Sequence, residues 1–249
     1  MKLVLDRWQG LGDNLQVSTI PRRYYEKYGE KCVWISNEIR YRNPEIKQLV
    51  WEDNPYIAGF TDEPGENLTH KLRHGKYGWI ENWERIYSLE PPYSKKPEIY
   101  SIKNAGDIFS VKDRVIIDIS YSKETLGPLL EKYPGFIDNH KKCIEGLYKQ
   151  AVEKGIEFYM VKNPNLSQDA SVNLLEGECS DIINSSPIIV SNIREYCNVL
   201  ANCKQFICTH SGNNSLAATI RKSCLCIIPI EYYNIKYFVF DNVRYITIS

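Results

Sequence analysis

The chain has 249 residues, enough for one large domain or two small ones, and its 43% apolar and 25% charged content is that of a folded globular protein, not a disordered one. Lysine plus arginine number 31 and aspartate plus glutamate 31, so the formal net charge is zero. No whole-molecule field then draws the chain to nucleic acid, and any anion it binds must be held by a local site. There is no run of about 18 apolar residues, which excludes a membrane-spanning helix. The start, Met1-Lys2-Leu3-Val4-Leu5-Asp6-Arg7, turns charged too soon for a signal peptide, and a cytoplasmic location is expected.

The eight cysteines, Cys32, Cys143, Cys179, Cys197, Cys203, Cys208, Cys224 and Cys226, contain no C-x-x-C pair. Cys224 and Cys226 lie one residue apart in an apolar run that reads as a strand, so both side chains point to one face, a poor start for a tetrahedral zinc site. They read as reduced, buried thiols, and neither a metal nor a cofactor is expected.

The opening, Lys2 to Leu5, is a short apolar strand. Gly10-Leu11-Gly12-Asp13-Asn14 follows, then a helical stretch from about Asn14 to Tyr28, with Gly29 as its C-cap and Pro21 as a kink or the start of a second helix. Cys32-Val33-Trp34-Ile35 is the next strand, completing a strand–helix–strand unit of the kind that builds parallel sheets. Gln48 to Trp51 and Ile57 to Phe60 read as further short strands. Between about Glu63 and Glu98, basic residues (Lys71, Arg73, Lys76) interleave with aromatics (Tyr77, Trp79, Trp83). That pattern suits a surface gripping a sugar or a phosphate, and equally a solvated helix that packs its aromatics inward.

A second α/β pattern begins at Arg114-Val115-Ile116-Ile117-Asp118-Ile119-Ser120, apolar enough for a buried parallel strand. Helix Phe136 to Lys154, strand Ile156 to Val161, strand Ile188 to Val190, helix Ile193 to Asn202, strand Gln205 to Cys208, helix Ser215 to Arg221, strand Leu225 to Ile228 and a final apolar piece, Tyr245 to Ile248, follow. The join falls near Tyr100 to Lys112. The expected architecture is two Rossmann-like domains, residues 1–103 and 104–249, facing each other across a cleft.

Two turns carry the chemistry. Gly10 and Gly12 let the chain turn sharply between strand and helix and let a ligand approach the backbone. The third glycine of the dinucleotide fingerprint is missing. Asp13 reads either as the N-cap of that helix or as a carboxylate placed to take a proton from a hydroxyl. The second turn, Thr209-His210-Ser211-Gly212-Asn213-Asn214-Ser215, joins a buried strand to a helix and offers hydroxyls, amides and backbone N–H groups that suit a diphosphate. A nucleophile elbow and a P-loop are both absent.

Taken together, these segments resemble the family 9 glycosyltransferases, the ADP-heptose heptosyltransferase-like group. Gly10-Leu11-Gly12-Asp13-Asn14-Leu15 followed by Pro21 is similar to the family's opening G-x-G-D turn. Asn192 to Cys203, Phe206-Ile207-Cys208, His210-Ser211-Gly212 and Leu216-Ala217-Ala218 are similar to its donor half. His210 stands where the family usually has Asp, and Ser215 where it usually has His; both departures bear on the donor. The chain is also short for the family, which points to a reduced acceptor domain.

The resemblance implies a GT-B architecture and inverting, metal-independent transfer of a sugar from a nucleotide diphosphate sugar to a glycan or glycolipid acceptor, with Asp13 as the base. Ser120, His210, Ser211, Gly212, Asn213 and Asn214 would bind the donor, with Lys123 or Lys162 neutralising the leaving diphosphate and backbone near Val190 to Asn192 reading the nucleobase. Lys71, Arg73, Lys76 and Trp79 would face the acceptor. The absence of a D-x-D motif agrees with a metal-free site. Peripheral contact with a membrane stays open, as do two rival readings: a nucleotide-sugar hydrolase or epimerase on the same architecture, and a non-catalytic nucleotide-sugar or glycan-binding module.

Overall fold

Apolar strands alternating with helices assemble into two parallel sheets. The structure, a computed structural model, describes residues 1–6, 10–66, 68–73, 75–102, 111–162, 171–173, 187–220 and 223–248, without the side chains of 122–125, 162 and 171–173.

The N-terminal unit runs β1 (Leu3–Leu5), α1 (Leu11–Gln16), α2 (Ile20–Tyr28), β2 (Val33–Ser36), α3 (Glu45–Lys47) continuing into a π-helical turn (Gln48–Glu52), β3 (Ile57–Thr61), a 3-10 turn (Thr69–Lys71) and α4 (Trp79–Ile86). Its sheet has the order β1-β2-β3, and both pairings are parallel. The single expected helix over 14–28 is two helices. The first starts earlier, at Leu11, and the second carries Pro21 in its first turn, where the missing N–H has no intrahelical partner to lose. Gly29, at φ 74°, closes it with its N–H on the Tyr25 carbonyl at 2.8 Å. Gln48 to Trp51 is not a strand but the π-helical turn, with Leu49, Val50 and Trp51 all buried. A short apolar run looks the same in a buried strand and in a buried helical segment.

The C-terminal unit runs β4 (Val115–Asp118), β5 (Ser120–Ser122), α5 (Lys123–Lys132), α6 (Phe136–Val152), β6 (Phe158–Lys162), β7 (Ser171–Asn173), β8 (Ile188–Ile189), α7 (Ile193–Asn202), β9 (Gln205–Thr209), α8 (Gly212–Thr219), β10 (Cys224–Pro229), α9 (Ile230–Asn234) and β11 (Arg244–Ile248). Six strands form one sheet in the order β11-β10-β9-β4-β6-β8, every pair parallel, while β5 and β7 make a small antiparallel pair. Counted along the chain, the six run 3-2-1-4-5-6, the Rossmann strand order.

Both faces of this sheet are covered, as its unbroken apolar strands require. Ile116, Phe206, Cys208, Cys224, Cys226 and Ile228 point to one face, and Val115, Ile117, Ile207 and Ile227 to the other, against Ile144 and Ala151 of α6. Cys224 and Cys226 share a face, and the cysteines among the described residues are thiols.

The first face is continuous with the core of the N-terminal unit: Leu15, Trp51, Ile193, Leu200, Leu216 and Phe238 belong to one buried cluster. Polar ties cross the same junction. The Ile193 N–H donates to Glu45 Oε2 at 2.7 Å, and the Gly75 N–H to the Ile235 carbonyl at 2.9 Å. The expected boundary, Lys103 and Asn104, lies outside the described residues. Among those described, no helix is long and apolar enough to cross a membrane.

Candidate active site

The strand order reverses at β4. From there the chain builds outward through β6 and β8 on one side and through β9, β10 and β11 on the other. At such a switch point the loops leaving the carboxyl ends of the two neighbouring strands part and leave a crevice. Here those ends carry Asp118 and Ser120 after β4, and Thr209 to Asn213 after β9.

They are tied to each other. Thr209 Oγ1 donates to the Ser120 carbonyl at 2.8 Å. Ser120 donates its N–H (3.1 Å) and its hydroxyl (2.6 Å) to Asp118 Oδ1, and the Tyr196 hydroxyl donates to Asp118 Oδ2 at 2.7 Å. Asn213 Nδ2 reaches Ser120 Oγ at 3.5 Å. Desolvation raises the Asp118 pKa above the usual carboxylate value, opposed by these hydrogen bonds.

α8 starts directly on this edge, with the Ser211 side chain as its cap, accepting the Asn213 N–H at 3.3 Å. Its first residue, Gly212, lies against Gly12 of α1. A Cβ added to Gly212 would come within 3.2 Å of the Gly12 nitrogen, and one added to Gly12 within 3.3 Å of the Gly212 Cα. The two turns singled out in the sequence, nearly 200 residues apart, are therefore in backbone contact.

Asp13 is not the N-cap of α1. That position belongs to Gly10, and Asp13 lies within the first turn, half-buried, where the helix dipole favours an acid. Its carboxylate folds back over Gly10: a Cβ there would meet Asp13 Oδ2 at 2.8 Å and Arg42 Nη1 at 3.9 Å. From the facing unit comes Tyr237, whose phenol is pushed up to about 12 by burial and by the charge of Asp13.

The remaining expected donor residues separate by burial. Ser120, Ser211, Gly212 and Asn213 are half-buried at the carboxyl edge of the sheet. His210 is 2% exposed and ringed by Tyr232, Tyr237 and Phe238 at centroid distances of 5.3 to 5.9 Å. Burial lowers its pKa to about 4, so the imidazole is neutral and donates from Nε2 to the Tyr237 carbonyl at 2.6 Å. Asn214, fully buried, donates to the Phe238 carbonyl at 2.8 Å. Both side chains prop a loop in which Lys236 (φ 54°) and Phe238 (φ 50°) sit in the left-handed region, a strained arrangement for non-glycine residues. Ser215 is buried behind Gly12.

Lys123 opens α5 and Lys162 closes β6, next to β4; their side chains lie outside the described residues. On the N-terminal side, Lys71, Arg73 and Lys76 are exposed. Trp79 is 5% exposed and packs on Tyr237 and Phe238 at 4.6 and 5.2 Å, so the protein itself uses its ring faces. Beside it opens a cavity of about 390 Å³ lined by Trp79, Ser94, Lys95, Lys236 and Asp241, which joins the two units.

Asp118, Tyr196 and Tyr237 were not singled out by the sequence reading. For Asp118 a signal existed: an acid closing an otherwise apolar strand, at the carboxyl end where α/β sheets hold their ligands.

No protein-family model matches the sequence, and no curated protein does. Solved structures do. Escherichia coli ADP-heptose heptosyltransferase II superposes with a TM-score of 0.64 at 10% identity, over 99% of this chain and 90% of that one. A family 9 glycosyl transferase from Veillonella parvula gives 0.63 at 8% identity, over 99% and 86%. The fold is family 9 glycosyltransferase-like, of the GT-B kind. TibC of enterotoxigenic E. coli, an iron-containing dodecameric glycosyltransferase, gives 0.62 at 14% identity and covers all of this chain, which spans only 65% of TibC's length. A second TibC structure is a complex with ADP-D-β-D-heptose. Among the described residues here, no group of three or more His, Cys, Asp or Glu side chains could hold a metal ion.

Proposed function

We propose that this chain is a glycosyltransferase that moves a sugar from a nucleotide diphosphate sugar to a glycan or glycolipid acceptor, with inversion, without a metal, and with Asp13 as the general base. The observation that carries the reading is the contact of Gly12 with Gly212, which brings the turn that carries Asp13 against the turn that suits a diphosphate. Fold likeness to enzymes described with ADP-heptose makes an ADP-sugar the first donor to try.

In the proposed step the acceptor oxygen attacks the anomeric carbon while its proton passes to the Asp13 carboxylate. The bond from that carbon to the β-phosphate oxygen breaks, and its electron pair leaves with the diphosphate. The Asn213 amide, the N-terminus of α8 and a lysine, Lys123 or Lys162, would stabilise the charge that develops there. The expected roles of His210, Asn214 and Trp79 become structural, because all three are buried and hold the loop around Tyr237. Lys71, Arg73 and Lys76 remain the acceptor-side candidates, on an exposed strip leading into α4.

The rival is a non-catalytic nucleotide-sugar-binding module, favoured by the burial of His210 and Ser215 at the two positions that depart from the family's donor turn. A thermal-shift screen with ADP, UDP, GDP and their sugars, followed by release of nucleotide with and without glycan acceptors, separates the readings. Stabilisation with acceptor-dependent release supports transfer, acceptor-independent release a hydrolase, and stabilisation without release the binding module. No stabilisation by any nucleotide overturns all three.

A further inference from the structure

We infer that Asp118 is a positioning residue of the donor site, fixing the Ser120 hydroxyl and through it the Asn213 amide that meets the diphosphate; this rests on the donor reading above. The argument is one of hydrogen-bond direction. A serine hydroxyl has one proton, and that of Ser120 is committed to Asp118 Oδ1 at 2.6 Å, shorter than its 3.5 Å approach to Asn213 Nδ2. Ser120 therefore presents a lone pair, not a proton, to the crevice. It accepts from Asn213, whose amide also bonds the Asp118 carboxyl, so Asp118 orients that amide at the edge of the donor turn both directly and through Ser120.

Every other link in the chain is pinned. Oδ2 of Asp118 takes the Tyr196 hydroxyl from α7 at 2.7 Å, the Ser120 backbone N–H holds Oδ1 at 3.1 Å, and Thr209 Oγ1 locks the Ser120 carbonyl from β9 at 2.8 Å. One carboxyl thus joins the end of β4 to helix α7, while Thr209 ties the same Ser120 to β9, and the set orients a side chain in the first turn of α8. Ser120 itself, expected to bind the donor directly, becomes a relay. Asp118 acts in this chain as an acceptor, taking the Ser120 and Tyr196 donors on its two oxygens.

The test is ADP and UDP affinity by calorimetry, with adenosine and uridine as phosphate-free controls, on the wild type, Asp118→Ala, Asp118→Asn, Asn213→Ala and the Asp118→Ala/Asn213→Ala pair. An asparagine keeps the acceptor oxygen facing Ser120. Asp118→Ala is expected to weaken the nucleoside diphosphate roughly tenfold, Asp118→Asn to restore it, and nucleoside affinity to stay unchanged. In the Asn213→Ala background the alanine at 118 should cost no further affinity, because the relay then has nothing to orient. Unchanged diphosphate affinity in Asp118→Ala, equal loss in Asp118→Asn, or additive losses in the pair would overturn the inference while leaving the donor reading intact. If Asp118→Ala does not fold, Ser120→Ala takes its place in the cycle, with the same expected non-additivity. A wild type that binds neither of these diphosphates nor GDP overturns the donor reading and this inference with it.

Discussion

Gly12 of α1 and Gly212 of α8 meet backbone to backbone, and neither position has room for a methyl group without a shift of a few tenths of an ångström. The two alanine substitutions should nevertheless differ. Gly12→Ala gains up to about 1 kcal/mol of helix propensity inside α1, which offsets much of the overlap. Gly212→Ala pushes on the Gly12 nitrogen and Leu11 Cβ together, both within 3.3 Å, and should destabilise by about 1–3 kcal/mol. Both should lower turnover, because both move Asp13 away from the donor turn. Urea titrations beside turnover assays check the divergence.

Asp13→Asn isolates the proposed base. Asparagine is nearly the same size, and Gly10, not residue 13, occupies the N-cap, so the fold should survive with little change in melting temperature. ADP affinity should stay near wild type while turnover falls roughly 10² to 10⁴-fold. Full activity in this variant would return the residue to the role of a first-turn acid.

Two buried histidines make stability depend on pH. Burial lowers His210 and His140 to about 4 from 6.5, so both are neutral in the folded state. Below pH 6.5 the unfolded chain takes up protons that the folded one refuses. Stability is therefore full above that pH and falls as pH drops toward 4, by on the order of 3 kcal/mol for each imidazole. Asp118, with a raised pKa, works in the opposite sense and blunts the slope. His210→Gln keeps a donor for the Tyr237 carbonyl and should flatten the curve measured by urea unfolding between pH 7.5 and 4.5.

Two contacts between the units look alike and should not weigh alike. Glu45 Oε2 accepts the first free N–H of α7, from Ile193, at 2.7 Å, in a half-buried place where the helix dipole adds to the bond. Glu45→Ala should cost about 1–2 kcal/mol. Arg194 and Asp53 pair at 2.9 Å, but both side chains are nearly half exposed, and Asp53→Ala should cost under about 0.5 kcal/mol. Chemical denaturation of the two variants side by side decides it.

The order of strands and helices was legible because parallel strands buried on both faces are continuous apolar runs and glycines mark where they turn. α8 begins three residues before the expected Ser215 because Ser211, not a residue of the apolar run, caps it. α5 was missed: Gly127 and Pro128 argue against a helix, and Pro128 nevertheless lies inside one. The candidate site was half legible. Asp13 and the 210–214 turn stand out as residue types at turns, but which of them face a ligand depends on burial, and burial at His210 is decided by Tyr232 and Phe238, more than 20 residues further on. The loop around Tyr237 carries no periodic signal: it is held by local turns, such as the Tyr237 N–H on the Tyr232 carbonyl at 2.9 Å, and by the distant His210 and Asn214 side chains.

The core shared by the two units has a consequence for how the chain is made. Strands β1 to β3 leave the ribosome before α7 and α8, yet the buried cluster they belong to is completed by Ile193, Leu200, Leu216 and Phe238, which are synthesised much later. The early product lacks part of the cluster that buries its apolar side chains, so cooperative folding is expected to wait for α7 and α8 to emerge. A chain cut between the units should give an N-terminal fragment that is insoluble when expressed by itself and recovered when the C-terminal fragment is supplied in the same cell.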